Sequence, residues 1–188
     1  MPSGIGLCGA HRVGKTTLAH ALSNATGIPF LKTHTSQVFT QHGLDPAQPM
    51  PFATRLAIQQ EILAAGVAVW EQASGPFLSD RTPIDMAAYT LADVHSTTLV
   101  EGPVLSTYLR QCLEQTNRFF STLIIVPPGI PLIHEPGKAA LHEAYIEHLH
   151  TVIVGLCHQT QLAANVFQLH RDITSLEARI SAALSLLR

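Results

Sequence analysis

Charge is scarce in this chain. Asp, Glu, Lys and Arg make up 13% of its 188 residues, about half the share usual in soluble domains. Only three lysines occur, Lys15, Lys32 and Lys138. With a formal net charge of −2 and no basic tail, the electrostatics do not announce a nucleic-acid binder, although they leave room for a local basic groove. A surface so thin in charge is compatible with a homo-oligomer. Cysteine is scarce too. Cys8, Cys112 and Cys157 are scattered, with no CxxC spacing for zinc or redox work, so three reduced thiols in a cytoplasmic protein are expected. The first ten residues lack the basic and apolar segments of a secretory signal. The apolar runs are too short and too interrupted to cross a bilayer, and no membrane partner is expected.

Apolar residues are plentiful, at 46%, and the length suits one domain with a buried core. Strands are expected over residues 3–8, 28–31, 77–79, 122–126 and 166–169. Helices are expected over 15–26, 36–42, 52–73, 83–95, 103–118, 139–164 and 175–187. Gly27 should stop the first helix, and Thr82-Pro83 should start the fourth. Strands alternating with helices imply an α/β fold with a five-stranded parallel sheet covered on both faces. In such sheets ligands bind beyond the carboxyl ends of the strands. Eleven histidines are present, and His142, His148, His150 and His158 all fall in one expected helix. Their spacing does not put them on one face, so a solvated helix is the plain reading.

One motif stands out. Gly9-Ala10-His11-Arg12-Val13-Gly14-Lys15-Thr16-Thr17 matches GxxxxGK[ST] and sits between a strand and a helix, where a phosphate-binding P-loop belongs. The glycines let backbone N–H groups turn toward phosphates, and the helix adds its positive dipole end. Lys15 is placed for the β- and γ-oxygens, and the Thr16 hydroxyl for Mg²⁺. All nine residues are therefore candidate contacts for ATP and Mg²⁺. Arg12 occupies a variable position and reads as solvated.

Phosphoryl transfer also needs an acid that orients Mg²⁺ or takes the acceptor's proton. Of the five aspartates, at 45, 80, 85, 93 and 172, only Asp80 directly follows an apolar strand. The strongest strand ends instead in Pro127-Pro128, which speaks against a helicase or AAA motor. Asp85 falls in a first helical turn, where a negative charge is favoured anyway. In a plainer alternative, Asp80 caps the helix begun at Pro83 and Arg81 pairs with it on the surface.

Asp80-Arg81-Thr82 resembles the [DE]-R-[ST] signature of deoxynucleoside kinases and the D-R motif of thymidylate kinase. The resemblance implies that Asp80 is the base or hydroxyl ligand and that Arg81 stabilises charge on the transferring phosphate. Taken together, GLCGAHRVGKTT, LSDRTPIDMAAY and the loop ending Pro-Gly-Lys138 are similar to a group of compact P-loop kinases of bacteria and bacteriophages. Members include deoxynucleotide kinases and phage 5-hydroxymethyluracil DNA kinases. A lid is expected at about residues 129–140, with Lys138 as its cation. Arg55, Gln59, Phe52 and Tyr89 are the expected acceptor contacts, since Gln can read a pyrimidine edge and the rings can stack on a base. Arg171 is a positional choice for the nucleotide side.

These residues imply an ATP-dependent kinase for a pyrimidine-type acceptor. The acceptor is either a free nucleoside or nucleotide, or a 5-hydroxymethyl-pyrimidine base in DNA. A DNA acceptor would need a cationic surface, with Arg55, Arg110, Arg118 and Lys32 as candidates. The competing class is a regulatory P-loop NTPase with no small-molecule acceptor.

Overall fold

A computed structural model describes residues 1–45, 48, 50–95, 98, 102–132 and 142–187. Its strands are β1 (Gly4–Cys8), β2 (Phe77–Ser79), β3 (Phe120–Ile125) and β4 (Asn165–Gln168). They form a parallel sheet in the order β2-β1-β3-β4. The helices are α1 (Lys15–Thr26), α2 (Thr35–Gln41), α3 (Phe52–Trp70), α4 (Pro83–Ala92), α5 (Gly102–Phe119), α6 (Glu143–Cys157) and α7 (Leu176–Leu186). The architecture is α/β, as expected, with four strands among the described residues in place of the five expected. Residues 28–31 do not form a full strand. Phe30 makes a single parallel bridge to Leu78, flanked by Leu31 N to Leu78 O at 2.8 Å and Leu78 N to Pro29 O at 2.9 Å. Pro29 carries no N–H, and β2 has only three residues to pair with, so the ladder stops there.

Side chains alternate across the sheet with the period of two that pleating imposes. Ile5, Leu7, Leu78, Ile124 and Val126 join a core with Leu18 and Leu22 of α1 and Ala183 of α7. Cys8, Phe77, Leu123 and Ile125 join the opposite core with Trp70 of α3 and Tyr108 of α5. Trp70 and Phe77, expected in the core, are 1% and 3% exposed. Both meet Phe120 edge-to-face, at centroid separations of 5.1 and 5.6 Å, a geometry ring quadrupoles favour.

Several boundaries move. α3 stops at Trp70 rather than 73, and α4 at Ala92 rather than 95. α6 runs only over Glu143–Cys157, with His142 as its N-cap accepting from Tyr145 N at 3.0 Å. The histidines of this region are not uniformly solvated. His150 is 8% exposed, and its Nδ1 has no hydrogen-bond partner among the described residues; burial lowers its pKa. No helix of the described residues is long and apolar enough to cross a membrane.

Candidate active site

β1, β2 and β3 end side by side, because Gly6 pairs with Ser79 and Cys8 with Ile125. The loop leaving β1 is thereby set against the segment leaving β2. Gly9 is required for this junction: a Cβ there would lie 2.5 Å from the Val126 carbonyl oxygen. Gly14 has φ +87° and Arg12 φ +66°. Left-handed residues within a tight loop help turn its N–H groups to one side, as in an anion-binding nest. Arg12 holds that conformation without glycine's freedom, a strain typical of functional loops.

Lys15 is 6% exposed. Its Nζ donates to the carbonyls of Gly9 and, at 2.6 Å, of Ala10, and lies 3.9 Å from Asp85 Oδ1. Burial first, and then the repulsion of nearby Arg81, bring its pKa down to about 8 despite the opposing pull of Asp85 and Asp80. In this conformation the ammonium is folded onto its own loop.

The expected metal pair comes together. Thr16 Oγ1 donates to Asp80 Oδ2 at 2.5 Å, across 64 residues of sequence. Asp80 is 6% exposed, and its Oδ1 is buried with no hydrogen-bond partner among the described residues. A P-loop threonine hydroxyl on a buried carboxylate oxygen, Oδ2, fits a hard cation with oxygen ligands, held by one or two side chains plus substrate phosphates. The described residues contain no cluster of three or more His, Cys, Asp or Glu that would hold a metal by itself. The capping alternative for Asp80 fails. Thr82 is the N-cap of α4, in a capping box with Asp85.

Asp85 matters more than its sequence position suggests. It is fully buried. Oδ1 accepts from Gly9 N at 2.9 Å, and Oδ2 from Thr82 N at 2.9 Å and Thr82 Oγ1 at 2.8 Å. One carboxylate thus fastens the first residue of the phosphate loop to the start of α4. The T-x-x-D spacing signals the cap; the reach to Gly9 depends on strand pairing.

Arg81 lies over the Tyr89 ring, 5.3 Å from its centroid. Burial opposes its charge, yet Tyr89, Asp85 and Asp80 outweigh that, and its pKa is raised. Tyr89 Oη in turn bonds His11 Nδ1 at 3.1 Å. The Tyr89 ring therefore links Arg81 to the phosphate loop rather than standing open for a base. Phe52 packs against the core, Gln59 is 6% exposed, and Arg55 pairs with Asp93 at 2.8 Å. The expected acceptor set is thus mostly engaged within the protein. Thr33 and Thr35, unmarked in the sequence, have buried hydroxyls without partners among the described residues. They follow the Phe30 bridge to Leu78, at the edge from which Asp80 emerges.

Arg171 makes a double bond of charges with Glu147, both contacts 2.7 Å, which draws the Glu147 pKa down. Together with Arg12, Val13 and Ile130 they line a cleft of about 610 Å³ beside the loop. Lys138 and most of the expected lid fall outside the described residues. Of the arginines expected to meet DNA, Arg110 faces Glu114 at 3.8 Å and Arg118 faces Glu71 at 2.8 Å. Each of these charges, like that of Arg55, is offset locally.

A family model described as an AAA domain matches residues 5–126, which span β1, the phosphate loop and all of β3. The chain belongs to this AAA domain family. The buried carboxylate that meets its phosphate loop, Asp80, stands after β2 and not after β3. No curated protein matches it in sequence. Among solved structures it is similar to deoxyadenosine kinase from M. mycoides with bound dCTP, at 17% identity, TM-score 0.70 and 98% coverage of each chain. It is also similar to NadR protein in complex with NR, at 15% identity and TM-score 0.71, over 99% of this chain and 50% of that one. Thymidylate kinase from Ehrlichia chaffeensis matches at 12% identity and TM-score 0.61, with coverage of 100% and 99%. At these identities the likeness establishes the fold.

Proposed function

We propose that this AAA domain chain is an ATP-dependent phosphotransferase for a nucleoside or nucleotide hydroxyl. The observation that carries the reading is the 2.5 Å contact of Thr16 Oγ1 with Asp80 Oδ2, beside buried Lys15, with Asp80 Oδ1 left unpartnered. A buried acid on the P-loop threonine is common to P-loop phosphoryl-transfer sites; the oxygen left bare, Oδ1, is what an acceptor hydroxyl could use. Three solved structures of similar fold bear the names of nucleoside or nucleotide kinases.

In this reading residues 9–17 bind the ATP polyphosphate, and Lys15 leaves its own loop's carbonyls for the β- and γ-oxygens. Thr16 and Asp80 would hold Mg²⁺, which when bound neutralises charge on the β- and γ-phosphates. Asp80 Oδ1 accepts the acceptor's O–H. The acceptor oxygen bonds to the γ-phosphorus, the bridging bond to ADP breaks, and the proton passes to Asp80. Arg81 steadies the charge on the moving phosphoryl group. The acceptor lies near Thr33, Thr35 and Gln59, with Lys138 as the cation of a lid over 129–140. The local pairing of Arg55, Arg110 and Arg118 favours a free pyrimidine-type nucleoside or nucleotide over a 5-hydroxymethyl-pyrimidine base in DNA.

The second reading, a regulatory P-loop NTPase without a small acceptor, is favoured by the family's description as an AAA domain. Radiolabelled γ-phosphate transfer, screened across nucleosides, mononucleotides and hydroxymethylated DNA, separates the two. Label appearing on a nucleoside or nucleotide supports the kinase. ATP consumption indifferent to every acceptor supports the NTPase.

A further inference from the structure

Arg179 is 3% exposed in the middle of α7, yet its side chain does not serve that helix. Nε donates to the Ile173 carbonyl at 2.7 Å, one terminal nitrogen to the Val13 carbonyl at 2.7 Å, and the other to the Pro127 carbonyl at 3.4 Å. The three acceptors come from three different connections at the carboxyl edge of the sheet: the phosphate loop, the turn after β3, and the loop after β4. All three are neutral carbonyls, and burial lowers the guanidinium's pKa. Only arginine offers donors on three nitrogens in one plane, so a lysine could not reproduce this fork.

We propose that Arg179 is the positioning residue of the phosphate loop, holding the Val13 carbonyl from behind and so fixing the direction of the Gly14 N–H. The peptide bond is planar and trans, so its C=O and N–H point opposite ways. With the Val13 carbonyl turned onto Arg179, the N–H of Gly14 points away from α7, toward the hollow of the loop. A Cβ on Gly14 would lie 3.6 Å from the Arg179 nitrogen that holds Val13, second only to Ile130 Cδ1 at 3.3 Å. The same guanidinium ties the loop to Pro127, at the root of the segment containing Ile130, and to Ile173, two residues past the cleft residue Arg171. A loop held in shape before the anion arrives binds it with less ordering. The inference rests on the nucleotide-binding part of the proposed function.

The test is calorimetric titration with ADP of wild type, Arg179→Met and Arg179→Lys, with a melting curve of each free protein. Arg179→Met is expected to weaken ADP binding about tenfold or more. Arg179→Lys, which keeps the charge but not the fork, is expected to lose more than about threefold. A merely structural residue would lower the melting temperature and leave the affinity of the folded protein alone. A loss under about threefold in either folded variant overturns the assignment, and full rescue by lysine would mean that charge alone matters. Should Arg179→Met not fold, Arg179→Lys decides by the same threshold. Wild type that binds no ADP would instead overturn the proposed function itself.

Discussion

Carrying the free protein from pH 7 to pH 9 should take the proton off Lys15, and nucleotide binding should have to put it back. The ammonium is 6% exposed and sits close to Arg81, and its pKa is lowered to about 8 from 10.5. A polyphosphate in the loop supplies the charge that burial denies it, which raises that pKa in the complex. Affinity should therefore be flat well below pH 8 and weaken above it. With a pKa of about 8 in the free protein, linkage gives an ADP dissociation constant about tenfold larger at pH 9 than at pH 7. For folding the sign is opposite. Between pH 8 and 10.5 the unfolded chain holds this proton and the native one does not, so native stability rises with pH across that window. The gap corresponds to at most roughly 3.5 kcal/mol, at about 1.4 kcal/mol for each pH unit. Calorimetry in two buffers of different ionisation enthalpy reads the proton directly: about 0.9 taken up at pH 9 and about 0.1 at pH 7. Lys15→Arg cannot titrate in this range and should bind ADP with a flat profile. Equal proton uptake at both pH values, or the same slope in Lys15→Arg, would refute the reasoning.

Asp80→Asn should lower the phosphoryl-transfer rate by about 10²-fold or more while ADP affinity shifts little; steady-state kinetics that show intact turnover and lost ATP binding would remove Asp80 as the base. Asp85→Asn should destabilise the protein by about 1–3 kcal/mol, because the amide turns N–H groups toward the Thr82 N–H and hydroxyl donors or the Gly9 N–H; urea unfolding measures this, and an unchanged midpoint contradicts the junction described at Gly9. Trp70→Ala should cost about 3–5 kcal/mol, since Trp70 is 1% exposed, packs on Phe120 and bonds Ser79 Oγ through Nε1 at 3.2 Å; a melting temperature within a few degrees of wild type would show that this core relaxes more than close packing allows.

The phosphate loop was legible because its chemistry is written in consecutive residues: glycines for the turn, Lys15 for the phosphates, Thr16 beside it. The place of Asp80 beside that loop was legible because it follows a strand directly. The acceptor side was not. Gln59 can read a base edge and Tyr89 can stack on a base, but whether they face a ligand or other protein groups depends on how α3 and α4 pack. That packing sets Arg55 on Asp93, Arg81 on Tyr89, and Tyr89 on His11. The missing fifth strand has a local cause that the apolar run concealed: Pro29 lacks a donor, and β2 is three residues long.

Local sequence alone decided which loop carries the phosphate-binding motif, which strands alternate with which helices, and where α1 and α4 begin, because glycine conformation, capping and periodicity act over a few residues. Gly27, for example, ends α1 at φ +73° as a left-handed cap. Tertiary structure alone decided that Asp85 holds Gly9 and that Arg179 holds Val13. Those partners are 76 and 166 residues apart. A buried charge must find donors or acceptors wherever the chain brings them, and only the order in which the strands pair determines which ones it meets.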